Sequence, residues 1–107
     1  MKTMLDVDTK SVDVIILEDN PGVQRSIVDC LEEFTDLSKI KTFSKECELW
    51  RFIDRQNLLF CLHHKYKPKL IIMDLKIGGI KAFRTLRRLR SLKLTRHTPI
   101  VMFSDSS

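Results

Sequence analysis

Cysteine is scarce and unpatterned: Cys30, Cys47 and Cys61 make an odd set without a Cys-x-x-Cys spacing. That excludes a disulfide framework and a zinc knuckle, and it predicts reduced, mostly packed thiols. Glycine and proline are equally few, three of each, which excludes collagen-like and low-complexity composition. No apolar run approaches the roughly 18 residues that a membrane span needs. The acidic start, with Asp6 and Asp8, is unlike the basic and then apolar pattern of a signal peptide. A soluble, cytoplasmic chain with no membrane partner is the expectation. What is present is globular: 43 % hydrophobic and 31 % charged over 107 residues, enough for one small domain with a packed core.

Nineteen Lys and Arg against fourteen Asp and Glu leave a net charge of +5, but the two signs are segregated. Residues 1–36 hold nine acids and three bases, residues 37–107 five acids and sixteen bases. Such a split points to nucleic acid, to an acidic partner, or to an acidic pocket and a basic surface within one fold. The last reading is preferred at this stage.

After a polar leader over 1–11, the run from Val12 to Leu17 is β-branched and ends at Glu18-Asp19-Asn20-Pro21-Gly22, which predicts a buried strand and a turn. From Pro21 the apolar residues Val23, Ile27, Leu31 and Phe34 keep helical spacing, with Asp19 or Asn20 as cap and Pro21 in the first turn. A second strand is predicted over Ile40 to Phe43. Ser44 then caps a helix carrying Leu49, Phe52, Ile53 and Leu59 on one side. Leu70-Ile71-Ile72-Met73 repeats the first pattern, ends at Asp74 and is broken by Gly78-Gly79. A third helix from Ile80 places Phe83, Leu86, Leu89 and Leu92 or Lys93 on one face and basic residues on the others. Ile100 to Phe103 is a last strand, and Ser104 follows it.

Short apolar strands alternating with amphipathic helices predict an α/β domain with a parallel sheet, because each helix must cross over to return the next strand in the same direction. Ligands of such sheets sit beyond the carboxyl ends of the strands. Glu18, Asp19, Asp74 and Ser104 all fall there. Three carboxylates at one edge repel one another unless a cation sits among them, and Mg²⁺ suits a site of one or two carboxylates plus phosphate oxygens. A carboxylate beside Mg²⁺ can act as a nucleophile toward phosphorus, with the Ser104 hydroxyl donating to a transferring oxygen. Taken singly, Glu18 and Asp19 read as helix caps and Asp74 as a strand terminus. Capping does not readily produce the conjunction at three strand ends.

The segments Val14 to Asn20, Pro68 to Gly79 and Thr98 to Ser104 resemble, in the right order, the receiver domains of two-component response regulators. The resemblance spans roughly residues 12 to 106 and implies a flavodoxin-like, doubly wound sheet. It further implies Asp74 as phospho-acceptor, Asp19 as a Mg²⁺ ligand with Glu18 as acidic neighbour, the Lys76 backbone carbonyl as a further ligand, and Ser104 as the switch hydroxyl. The implied partner is a sensor histidine kinase or phosphotransfer protein. Gly78-Gly79 replaces the family's usual Pro and Gly, and Lys81 and Ala82 stand where Asp and Gly are common. Receivers continue through a fifth strand bearing a phosphate-binding Lys and final helices, whereas only three residues follow Ser104. The expected sheet is therefore 2-1-3-4, a receiver over 12–107 incomplete at its end. Its exposed fourth strand, or the basic helix, should pair with a second copy as a homodimer or domain-exchanged assembly.

Other readings compete with a phospho-accepting domain. One is a receiver-derived interaction module that keeps the fold without switching. Another is nucleic-acid binding through Lys81 to Arg96, which has seven bases and no acid. Without stacking aromatics or a recognisable motif, that stretch is read as a solvated helix face in preference to a nucleic-acid surface. His63 and His64 are adjacent and point in different directions on most backbones, so they are not taken as a metal site. Trp50 and Met73 are read as packing residues.

Overall fold

A computed structural model describes residues 12–63, 67–76 and 80–104. The polar leader, the His63 and His64 side chains and the Gly78-Gly79 turn lie outside the described residues. Four strands, β1 (Val14–Leu17), β2 (Ile40–Phe43), β3 (Leu70–Asp74) and β4 (Ile100–Phe103), alternate with three helices, α1 (Pro21–Leu31), α2 (Glu46–His63) and α3 (Ile80–Ser91). All pairings are parallel, and the order is β2-β1-β3-β4. This is a flavodoxin-like doubly wound α/β fold. β1 is buried along its whole length because it lies between two strands and has a helical layer on each face.

The first crossover runs from β1 toward β2, and the next two run the other way. Right-handed crossovers therefore put α1 on one face of the sheet and α2 with α3 on the other. The second face holds the main core, where Leu49 and Ile53 of α2 and Leu89 of α3 pack on Ile15, Leu17, Ile71 and Met73. α1 is lighter: none of its residues is fully buried, and Val23, Ile27, Val28 and Leu31 are only half-covered. Asn20 is its cap, with the side-chain Oδ1 accepting from the amides of Gly22 at 2.8 Å and Val23 at 3.2 Å.

Three details differ from the sequence pattern. The apolar spacing carries the α1 stripe on to Phe34, but the helix stops at Leu31, whose carbonyl accepts from the Phe34 and Thr35 amides, and Phe34 is 80 % exposed. On α3 the buried positions are Ala82, Thr85 and Leu89, leaving Phe83 60 % exposed. This rotation is possible because buried Thr85 has a partner, its hydroxyl donating to Glu46 Oε1 at 2.6 Å. The cysteines, expected to be mostly packed, are free and all exposed. Cys47 sits two residues from buried Leu49, which on a helix is the opposite side.

α3 is fastened to its surroundings by polar contacts. Arg88 reaches both oxygens of Asp54 on α2, at 3.2 and 3.0 Å, and stacks 4.0 Å over the Trp50 ring. Arg90 donates to the carbonyls of Thr95, Arg96 and Thr98 at 3.1, 3.1 and 2.7 Å, shaping the turn that feeds β4. Thr98 then donates to the Pro68 carbonyl at 3.1 Å, tying the approach of β4 to that of β3. Removing the Arg90 guanidinium leaves three carbonyls without that donor. Arg90→Ala is therefore expected to lower unfolding stability by about 1–2 kcal/mol in a urea titration, more than Arg87→Ala, a solvated arginine of the same helix.

Candidate functional site

The carboxyl edge of the sheet is built by three segments. β1 ends at Leu17, and the next amide, from Glu18, donates to the Phe43 carbonyl of β2 at 3.0 Å, so the pairing continues one step past the strand. Glu18 thereby stays within the sheet and is 0 % exposed, while Asp19, at the start of the turn, is exposed. β3 lies beside β1 in a register that pairs Leu17 with Met73, which brings Asp74 level with Glu18. Asp74 is 1 % exposed.

One carboxylate oxygen from each of Glu18, Asp19 and Asp74 falls in a group whose members lie within 4.8 Å of one another. Each of the two buried acids spends a single oxygen on a backbone amide. Glu18 Oε1 accepts from Asn20 at 3.0 Å, and Asp74 Oδ1 accepts from Lys76 at 2.9 Å. The other oxygens, Glu18 Oε2 and Asp74 Oδ2, are buried and accept no hydrogen bond among the described residues. A buried anionic oxygen left so is costly. Its consequence is visible in Glu18, whose carboxyl is pushed up to about 7, first by burial, then by the Asp74 carboxylate beside it and by Asp19, against the opposing Asn20 amide.

Ser104 follows β4, whose Phe103 is the register partner of Asp74, and the Phe103 carbonyl accepts from Leu75 at 2.8 Å. The hydroxyl is therefore carried on the strand next to Asp74, at the same edge, and it is exposed. The Lys76 carbonyl belongs to the short turn whose amide holds Asp74. All the residues singled out from the sequence thus reach one edge, with Glu18, Asp19 and Asp74 clustered.

Two supporting residues were not recognised from the sequence. Gln24 Nε2 donates to the Glu18 carbonyl and to Ser44 Oγ, binding the β1–α1 turn to the start of the β2–α2 connection. Phe43 supplies the carbonyl that holds the Glu18 amide. Neither has a local signature, because Gln24 reads as a surface helix residue and Phe43 acts through its backbone.

The donor set fits a hard divalent cation. It is all oxygen, it is anionic, and it includes two buried atoms with unspent lone pairs, which Mg²⁺ accepts and which soft metals do not favour. Glu18, Asp19 and Asp74 would hold the ion, with the Lys76 carbonyl beside them. Asp19 is the exposed member, so its replacement leaves the packed pair intact. Asp19→Asn is expected to weaken Mg²⁺ binding at least about tenfold, as read by isothermal titration calorimetry. Unchanged binding would place the ion elsewhere.

No protein-family model matches the chain, and neither a curated protein nor a solved structure matches it.

Proposed function

We propose that the chain is a receiver domain that accepts a phosphoryl group on Asp74 from a phosphohistidine of a sensor kinase or phosphotransfer protein, in the cytoplasm, with Mg²⁺ as cofactor. The observation that carries this reading is the pair of buried carboxylate oxygens without partners among the described residues, set beside a third carboxylate at the carboxyl edge of a doubly wound sheet. Burying a carboxylate oxygen without a partner is costly, and a bound cation offsets that cost. The resemblance of the three strand-end segments to receivers supports the same assignment.

In the reaction, an Asp74 oxygen attacks phosphorus and forms an acyl phosphate while the bond from phosphorus to the donor breaks. From phosphohistidine the leaving imidazole takes up a proton; from acetyl phosphate the leaving group is acetate. Mg²⁺, when bound, supplies charge neutralisation for the transferring oxygens. The Lys76 amide holds the second Asp74 oxygen and so orients the nucleophile. Glu18 and Asp19 keep the pocket anionic and thereby receptive to the cation. Ser104, one residue past the end of the strand beside Asp74, would donate its hydroxyl to the phosphoryl group.

The burial of Asp74, 1 % exposed, favours a second reading, an interaction module that keeps the fold without switching, because a phosphodonor reaches this carboxylate only when the surrounding edge opens. Incubation with acetyl phosphate and Mg²⁺, followed by intact-mass measurement, separates the two. A receiver gains one phosphoryl group that is lost on mild alkaline treatment and is not acquired in the presence of EDTA. A non-switching module gains nothing.

A further inference from the structure

The seven bases between Lys81 and Arg96 do not form a uniform patch. Arg88 is engaged by Asp54 and Trp50, and Arg90 by three carbonyls. Arg84 and Arg87 are exposed and form no ion pair among the described residues. They lie one and four positions after Phe83, so on α3 they flank a ring that is 60 % exposed. The opposite charge adjoins a second strongly exposed ring among the described residues. Phe34, 80 % exposed, follows directly on Glu32 and Glu33, with Asp29 one helical turn before and Asp36 just after, all exposed.

We propose that these two faces recognise each other, so that the basic Phe83-Arg84-Arg87 face of one copy docks on the acidic Glu32-Glu33-Phe34 end of a second copy. The occupant is chosen by complementarity. Each face is an exposed phenylalanine with charges of a single sign beside it along the helix, the signs are opposite, and aromatic and arginine side chains are those enriched in protein interfaces. An acidic nucleic acid would match the arginines but would leave the Phe34 face without a role. The two faces belong to helical layers on opposite sides of the sheet, so one chain cannot satisfy them internally. The contact is heterologous and builds head-to-tail oligomers in place of a closed two-fold dimer. Its charge component makes it sensitive to salt.

The test is sedimentation velocity of the full chain in the micromolar range at low and high salt, with two charge-reversed variants. The wild-type chain is expected to show a mass above one chain that grows with concentration and falls as salt is raised. Arg84→Glu/Arg87→Glu makes both faces acidic, and Glu32→Arg/Glu33→Arg sets two arginines on the Phe34 end opposite the arginines of α3, so each variant should run as a monomer. Their equimolar mixture should regain association. Recovery on mixing also demonstrates that both variants are folded, and circular dichroism of each alone checks it independently. A wild-type monomer at low salt overturns the proposal. So does undiminished association of either folded variant, or failure of two folded variants to associate on mixing. Salt-sensitive DNA retention lost in Arg84→Glu/Arg87→Glu, by a chain that stays monomeric alone, assigns the face to nucleic acid and likewise overturns it.

Discussion

Replacing Asp74 by asparagine is expected to abolish the mass gain with acetyl phosphate completely while leaving the protein folded. The amide is isosteric and its oxygen can still accept from Lys76, the contact now made at 2.9 Å. What is lost is the anionic nucleophile, because an amide oxygen does not form a stable bond to phosphorus under these conditions. The new amide N–H₂ can donate toward the buried Glu18 Oε2, which accepts no hydrogen bond among the described residues of the parent protein. The variant should therefore unfold no more easily than the parent, and a loss of phosphorylation cannot be ascribed to a loss of structure. A folded Asp74→Asn protein that still acquires a phosphoryl group would move the nucleophile to another residue. An inert parent would instead favour the non-switching module.

The second large effect is on stability as a function of pH. The Glu18 carboxyl titrates near 7 in the folded chain against an ordinary value of 4.5, chiefly because burial disfavours its charge. The folded state therefore binds this proton more tightly than the unfolded state does. The stability it contributes is fully present below about pH 4.5 and is lost as pH rises through about 7. A raise of this size corresponds to roughly 3 kcal/mol. Glu18→Gln has no charge to bury, and its amide can face Asp74 as a donor. In urea titrations without divalent ions the variant is expected to gain on the parent from pH 5 upward, and to exceed it by about 2–3 kcal/mol at pH 8. Saturating Mg²⁺ should narrow the gap, because binding to the native state of the parent stabilises it and the variant has lost a ligand. A difference that stays flat with pH would mean that Glu18 is not held in a charge-averse site.

The elements themselves could be read from local patterns, for reasons that differ along the chain. β1 and β3 are uninterrupted β-branched or aliphatic runs because both faces of a central parallel strand are covered. The start of α1 was visible as Asn20 before Pro21, since a capping side chain and a preset φ act within a few residues. Helix faces were less secure. Phe83 continues the apolar spacing of α3, yet Thr85 is buried in its stead because Glu46, 39 residues earlier, supplies a partner for the hydroxyl. The exposure of Phe34 depends on where α1 ends, and the exposure of Cys47 and Cys61 on which side of α2 meets the sheet. All of these are decided by tertiary packing.

The same division holds at the candidate site. Sequence alone determined which chemistry is possible, because acids and a hydroxyl at the ends of apolar strands must share the carboxyl edge of any right-handed parallel sheet. Only the tertiary structure decided their inequality. The Leu17–Met73 register sets Glu18 level with Asp74, and the amide bond to Phe43 draws Glu18 into the sheet. Adjacent Asp19 is left in solvent. Burial and an unspent oxygen are properties of what surrounds an atom. Residues distant in the chain supply those surroundings, so of two neighbouring carboxylates with the same formal charge one is buried in the sheet and the other stands in solvent.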